Sequence, residues 1–122
     1  MSTDRVRVGK LGEELAGRFL RERGYQILTT NYRCPRGEVD IVAKDGEEVV
    51  FVEVRTRRSQ NFGTPQESLT RPKIRRLVAT CQDYLQGYGG VDTNWRIDLV
   101  SVRLDHDNRL KNIDHLRHAV QL

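Results

Sequence analysis

Asp40 and Glu53 are the two residues of this 122-residue chain best spaced to do chemistry together, with twelve residues and an Asp45-Gly46 turn signal between them. Each sits in a run that alternates as a strand, Glu38 to Ala43 on one side and Val49 to Val54 on the other, rich in β-branched residues. Asp-Gly between two such runs signals a hairpin. With Asp45 and Gly46 as the loop of a type I′ turn, Lys44 pairs with Glu47, Asp40 falls opposite Phe51, and Glu38 falls opposite Glu53. The period of two then puts Glu38, Asp40, Val49, Phe51, Glu53 and Arg55 on one face, and Val39, Ile41, Val50, Val52 and Val54 on an apolar one. Asp40 and Glu53 become diagonal neighbours, roughly 7–8 Å apart at the backbone, so that both carboxylates can converge on one cation.

Two acids on a β-branched sheet surface destabilise it by mutual repulsion and desolvation unless a cation or a proton offsets them. A hard divalent ion does so with oxygen ligands, one or two carboxylates joined by waters and substrate phosphates. Mg²⁺ is therefore the expected ion, with Mn²⁺ as its substitute. Spacing alone leaves a second reading open, an exposed strand face on which Arg55 pairs with Glu53.

Asp40, twelve residues, and then Glu53-Val54-Arg55 resemble the D-x(n)-E-x-K signature of the PD-(D/E)XK nuclease superfamily. A longer ordered set is similar to the YraN-like bacterial family assigned to that superfamily. It comprises Gly12-Glu13-x-x-Ala16, Gly24-Tyr25, Asn31-Tyr32-Arg33, Gly37-Glu38-Val39-Asp40 and Phe51-Val52-Glu53-Val54-Arg55-x-Arg57, with Lys73 following on a helix. The resemblance covers nearly the whole chain and implies a restriction-endonuclease-like αβββαβ core, a mixed sheet flanked by helices. It also implies that Asp40 and Glu53 ligate Mg²⁺ together with a backbone carbonyl near Val54 and with Glu13, directly or through water. Arg55 stands where the superfamily's usual lysine would be. Arginine stays protonated at neutral pH, so Arg55 can hold a water or phosphate and offset transition-state charge but cannot act as a general base.

The elements that must position these residues are legible in the pattern. Met1 to Arg7 is polar and aperiodic, so residues 1–8 are expected to be a flexible basic arm. Leu11, Leu15, Ala16, Phe19 and Leu20 then form one helical stripe, ended by Gly24 as a C-terminal cap. Glu13 lies at the edge of that stripe and Glu14 points away, so Glu13 is the glutamate able to reach a site; either one also suits the first turn of a helix. Tyr25 to Tyr32 is a strand, and Cys34-Pro35-Arg36-Gly37 a loop into the central hairpin. The polar stretch SQNFGTPQ after Arg58 is a loop beside the site, containing Gln66, a polar residue of the kind some superfamily members place there. A second helix starts near Thr70 with Pro72 in its first turn and buries Ile74, Leu77, Val78, Cys81 and Leu85. After Gly87, Gly89 and Gly90, Trp95 to Leu104 is a strand and Leu110 to His115 a short edge segment. Asp98 is expected to be structural, paired with an arginine, and His106, His115 and His118 receive no chemical role.

At this length, with 37% apolar and 31% charged residues, residues 1–122 read as one globular domain with a single core. No apolar run approaches the roughly 18 residues of a membrane span, and no export signal is evident, so a cytoplasmic location is expected. Two cysteines and three histidines lack zinc spacing. A net charge of +4, from 21 basic against 17 acidic residues, favours a polyanionic partner. The cations cluster around the acidic pair in sequence: Arg33 and Arg36 before it, Arg55, Arg57 and Arg58 after it, and Arg71, Lys73, Arg75 and Arg76 on the next helix. Arg33, Arg36, Arg57, Arg58 and Lys73 are the expected nucleic-acid contacts, with Lys73 also a candidate for the site itself.

Two classes of function follow, a Mg²⁺-dependent endonuclease of DNA, branched DNA included, and a nucleic-acid-binding module that keeps the nuclease fold with little or no catalysis. A protein-interaction domain whose basic surface meets an acidic partner is a third. DNA is favoured over RNA, no membrane partner is expected, and an apolar sheet edge could pair two chains as a homodimer.

Overall fold

The computed structural model describes residues 3–58, 68–90 and 92–122. Helix α1 spans Asp4–Glu22, followed by β1 (Gln26–Cys34), β2 (Gly37–Asp45) and β3 (Glu48–Arg58); helix α2 spans Arg71–Tyr88, and β4 (Trp95–Leu104) and β5 (Leu110–Leu116) complete the chain. The strands form one sheet in the order β1-β2-β3-β4-β5. Only β3 and β4 run parallel, with α2 as the crossover between them. This is the αβββαβ order, with a mixed sheet and a helix on each face, that the sequence leads one to expect. Among the described residues no helix is long and apolar enough to cross a membrane.

Helix α1 starts earlier than expected. The Thr3 hydroxyl accepts the Val6 N–H at 3.3 Å and Asp4 complements the positive helix end, so Asp4 to Val8 of the expected arm form the first turn of α1 instead. Gly24 ends the helix with φ +90°, the left-handed cap expected of it.

Two apolar layers hold the helices to the sheet. Ala16 and Leu20 of α1 pack on Ile41, Ala43, Val50, Val52, Val54, Val100, Val102 and Leu104, while Leu77, Cys81 and Leu85 of α2 pack on Val42, Val49, Phe51 and Ile97. Both faces of β3 are therefore buried, whereas the alternation in the sequence assigns the face of Val49 and Phe51 to the acids. The helix α2 stripe and its start at Thr70 and Pro72 follow the expected pattern.

The central hairpin differs in register from the type I′ expectation. Asp45 pairs with Glu48 and Lys44 with Val49, which makes Gly46 and Glu47 the loop. Gly46 has φ +61° at the first loop position, the requirement of a type II′ turn. Asp45 is held in the strand because its carboxylate accepts from Arg96 at 3.2 Å and from Arg117 at 2.8 Å, while Glu48 takes the other end of Arg96 at 2.5 Å. The stretch from Cys34 to Gly37 is likewise a tight hairpin, those two residues pairing across Pro35 and Arg36, rather than an open loop.

Candidate active site

The shift of two residues preserves the faces of the hairpin but brings Asp40 level with Glu53, not diagonal to it. Pairing of β2 with β3 ends at Ile41 and Val52. There β2 departs from its partner, and the Asp40 carboxylate takes over one ladder position by accepting the Val54 N–H at 2.7 Å. The alternation of β2 slips at the same point. Ile41 lies on the α1 side, yet Val39, expected beside it, packs with Val42 on the α2 side. Asp40 thereby interacts with Glu13 of α1 while lining a cleft shared with Lys73 and Arg76 of α2.

From α1 comes Glu13. Gly12 makes this possible, because a Cβ on it would fall 1.7 Å from the Thr56 Oγ1 of β3, so only glycine lets the helix cross the strand this closely. Burial raises the Glu13 carboxyl above the ordinary range; a hydrogen bond from the Asn31 amide opposes this, and the charges of Glu38 and Glu53 reinforce it. Glu13 also shares a hydrogen bond with Asp40. Asn31, a poor strand former in mid-strand, holds φ +53°. An asparagine centred in a β-branched strand is a usable signal for such a role.

From β3 come Glu53 and Arg55, and from α2 comes Lys73. The Lys73 Nζ lies 3.4 Å from Glu53 Oε2, with 28% and 12% of the two side chains exposed. Arg55 donates through Nε to the Ser68 hydroxyl at 2.9 Å, a contact for which the sequence carries no signal. Gly37, Asp40, Glu53, Arg55, Lys73 and Arg76 line one cleft of about 410 Å³. Gly37 has φ +151° and sits so near α2 that a Cβ would lie 2.9 Å from Thr80 Oγ1, which brings the hairpin and the helix together at the cleft.

The electrostatics follow from this crowding. Burial, then the charge of Glu53 and a hydrogen bond shared with it, push the Asp40 carboxyl up to about 8, against the opposing Val54 N–H. At neutral pH a proton therefore offsets the repulsion between the two acids. The Lys73 ammonium offsets part of the charge on Glu53, and a hard cation held by the two carboxylates would offset the rest. Among the described residues no three carboxylate, histidine or cysteine side chains form a complete metal cage, so an ion here would complete its shell with water or substrate oxygens.

The remaining expected contacts lie elsewhere. Arg33 pairs with Glu38, its register partner across β1 and β2, at 3.0 Å on the surface. Arg36 is exposed in the β1–β2 turn, and Arg57 is half-buried on β3. Arg58 grips Asp4 at 2.7 and 3.0 Å and Asn108 at 2.9 Å, so it fastens the start of α1 to the end of β3 rather than facing the cleft. Gln66 lies outside the described residues. Asp98 is structural, as expected, bound by Arg96 at 3.0 Å and by His115 at 2.8 Å.

The profile of the uncharacterised protein family UPF0102 matches residues 12–102, a span containing Glu13, Asp40, Glu53, Arg55 and Lys73. A UPF0102 protein of Moorella thermoacetica is 47% identical over 119 residues, covering 98% of this chain and 99% of its own. One from Roseiflexus castenholzii is 41% identical over 122 residues, covering 99% and 98%. A solved structure of Pyrococcus furiosus SfsA in complex with Ca²⁺ is similar with a TM-score of 0.38 and 12% identity, covering 97% of this chain and 65% of that one, too loose a likeness to bear on function. With these matches, the chain belongs to the UPF0102 family, the YraN-like branch of the PD-(D/E)XK nuclease superfamily.

Proposed function

We propose that the chain is a divalent-metal-dependent phosphodiesterase of nucleic acid, and in the fuller form of this reading an endonuclease of DNA, branched DNA included. The observation that supports it most is the Asp40–Glu53 pair, two crowded carboxylates in one cleft with Lys73 within 3.4 Å of the second. Asp40 and Glu53 would hold Mg²⁺ or Mn²⁺, and Glu13 would steady Asp40 from behind. The ion's contribution, when bound, is to polarise the phosphoryl group and to lower the pKa of a nearby water. Everything else falls to the chain's own side chains.

Lys73 offers an ammonium at the depth of the carboxylates, where it can hold a non-bridging phosphate oxygen and offset the charge that develops in phosphoryl transfer. Arg55 keeps a fixed direction because Ser68 takes its Nε–H, which leaves its terminal N–H groups for a second phosphate contact. Arg76, at the rim of the same cleft, extends that positive wall. Asp40 must release its proton before it can ligate an ion.

Arg55 also favours a second reading. With arginine where a lysine could exchange a proton, the site suits a module that binds nucleic acid and turns it over slowly or not at all. Incubation of labelled linear and branched DNA with the wild-type chain, Asp40→Ala and Glu53→Ala, with Mg²⁺ or with Mn²⁺, separates the two. Cleavage that needs both the ion and both acids supports the nuclease. Binding without cleavage under every condition leaves the binding module, and unchanged cleavage by the acid variants removes the site altogether.

A further inference from the structure

A groove of about 480 Å³ runs between α1 and β1, the strand at one edge of the sheet, and it shares Glu13 with the carboxylate cluster. Lys10, Arg18 and Arg21 line it from the helix, Thr30 and Asn31 from the strand. The three cations recur at helical spacing on one stripe that spans about 16 Å. They are exposed, and none forms an ion pair with a described residue. Glu14 lies four residues from both Lys10 and Arg18, yet neither cation closes on it. Gly17 also lines the groove, with Arg21 Nη1 3.8 Å from where a Cβ would stand.

We propose that this groove is a second backbone-binding track of the nucleic-acid substrate, continuing the path of the strand beyond the carboxylates on the side away from α2. The inference rests on the reading of Asp40 and Glu53 as a phosphodiesterase site. The cleft presents Arg55, Lys73 and Arg76 on the α2 side, whereas α1 packs on the opposite face of the sheet, and Asp40 is reached from both. A phosphodiester chain leaving the cleft on the α1 side meets Glu13, which repels it, unless cations take over at that point. Lys10, Arg18 and Arg21 are those cations, and the Thr30 hydroxyl and Asn31 amide add neutral donors. At one charge per 3.4 Å along a duplex strand, a stripe of about 16 Å faces about four or five phosphates. A substrate held on both sides of the reacting phosphate is cut internally and not from an end.

Fluorescence anisotropy of labelled duplex and single-stranded DNA, titrated without divalent ions over a series of salt concentrations, tests this. The chains compared are the wild type, Lys10→Ala/Arg18→Ala/Arg21→Ala, and a charge-matched control, Arg103→Ala/Arg109→Ala/Lys111→Ala, on the last two strands and the turn between them at the opposite end of the sheet. The groove variant is expected to bind duplex at least tenfold more weakly at low salt, with a slope of log affinity against log salt shallower by about 2–3. Mg²⁺ titration of the same variant should match the wild type, because the carboxylates are untouched. Equal slopes in the wild type and the groove variant, or an equal loss in the control, overturn the groove while leaving the cleft intact. A wild-type chain with no salt-dependent binding to either DNA overturns the nucleic-acid reading itself, and the groove with it.

Discussion

Gly12 of α1 and Thr56 of β3 approach so closely that a Cβ on the glycine would stand 1.7 Å from Oγ1 and 2.7 Å from the Cβ and Cγ2 of the threonine. A hydroxyl can rotate away, but the Thr56 Cβ cannot. Gly12→Ala must therefore lift α1 from the sheet, at a cost of about 1–3 kcal/mol typical of overpacking. Glu13 moves with the helix. Urea denaturation should show the loss, and Gly12→Ala/Thr56→Gly should recover part of it; a single variant as stable as the wild type would mean that the crossing is not tight.

The raised Asp40 carboxyl makes stability depend on pH in a stated direction. Its folded value of about 8 lies above the ordinary 3.8, so the folded chain holds the proton more tightly than the unfolded one does. The stabilisation is complete below the ordinary value and is lost as pH rises through about 8. Glu13, also raised, acts in the same sense, whereas Asp98 is held low and contributes in the opposite sense, losing its contribution as pH falls. Melting curves of the wild type and Asp40→Asn in chelator isolate the Asp40 part. The wild type should lose ground to the variant between about pH 5 and pH 8. Curves that stay parallel across that window would show that Asp40 is ionised throughout.

The same proton must be displaced by any cation that ligates Asp40. Divalent affinity should therefore rise with pH, by up to about tenfold per unit, until the pH passes the Asp40 value. Titration calorimetry in two buffers of different ionisation heat checks this through the proton released. Affinity independent of pH between 6 and 8, with no proton release, would place the ion away from Asp40.

How much of this was legible in the sequence depended on whether a residue's conformation was set locally. The helical stripes and the strand from Trp95 to Leu104 were readable because burial periodicity is local. So was the pairing of the two acids, since a slip of two residues leaves every face unchanged. The turn type was not, because Arg96, a residue of β4, pulls Asp45 and Glu48 into the ladder from far along the chain. Nor was the reversal of Val39, which follows from the departure of β2 from β3 at Asp40. The early start of α1 was available in Thr3-Asp4, a capping residue followed by an acid, but the missing apolar periodicity of the first turn concealed it.

Lys73 and a divalent cation compete for Glu53. With the ammonium 3.4 Å from Oε2, Lys73→Met removes a like charge from the place an ion would occupy. Divalent affinity should then tighten by about three- to tenfold, a modest gain because the lysine is partly solvated. Any cleavage activity should fall in the same variant, since the phosphate loses its nearest cation. Tighter metal binding with lower turnover distinguishes a substrate contact from a purely structural partner of Glu53; weaker metal binding would make Lys73 a support for the site instead.

Arg96 offers the largest expected effect on stability. Arg96 is 2% exposed and Asp98 0%, and the guanidinium reaches Asp98 at 3.0 Å, Glu48 at 2.5 Å, the Tyr25 hydroxyl at 2.8 Å and Asp45 at 3.2 Å. Arg96→Ala leaves the Asp98 carboxylate buried with His115 Nε2 and the His118 N–H as its remaining partners, and takes the Arg96 contact from both ends of the β2–β3 turn, Asp45 keeping only Arg117. Breaking a buried pair from one side costs about 3–5 kcal/mol. Arg96→Lys should recover little, because one ammonium cannot span four acceptors arranged for a planar fork. Arg96→Met/Asp98→Leu should recover much of the loss, since an apolar pair carries no desolvation penalty. Urea midpoints of the three variants decide between these outcomes. A double variant no better than Arg96→Ala would mean that the turn contacts to Asp45 and Glu48, and not the buried charge, hold this end of the sheet.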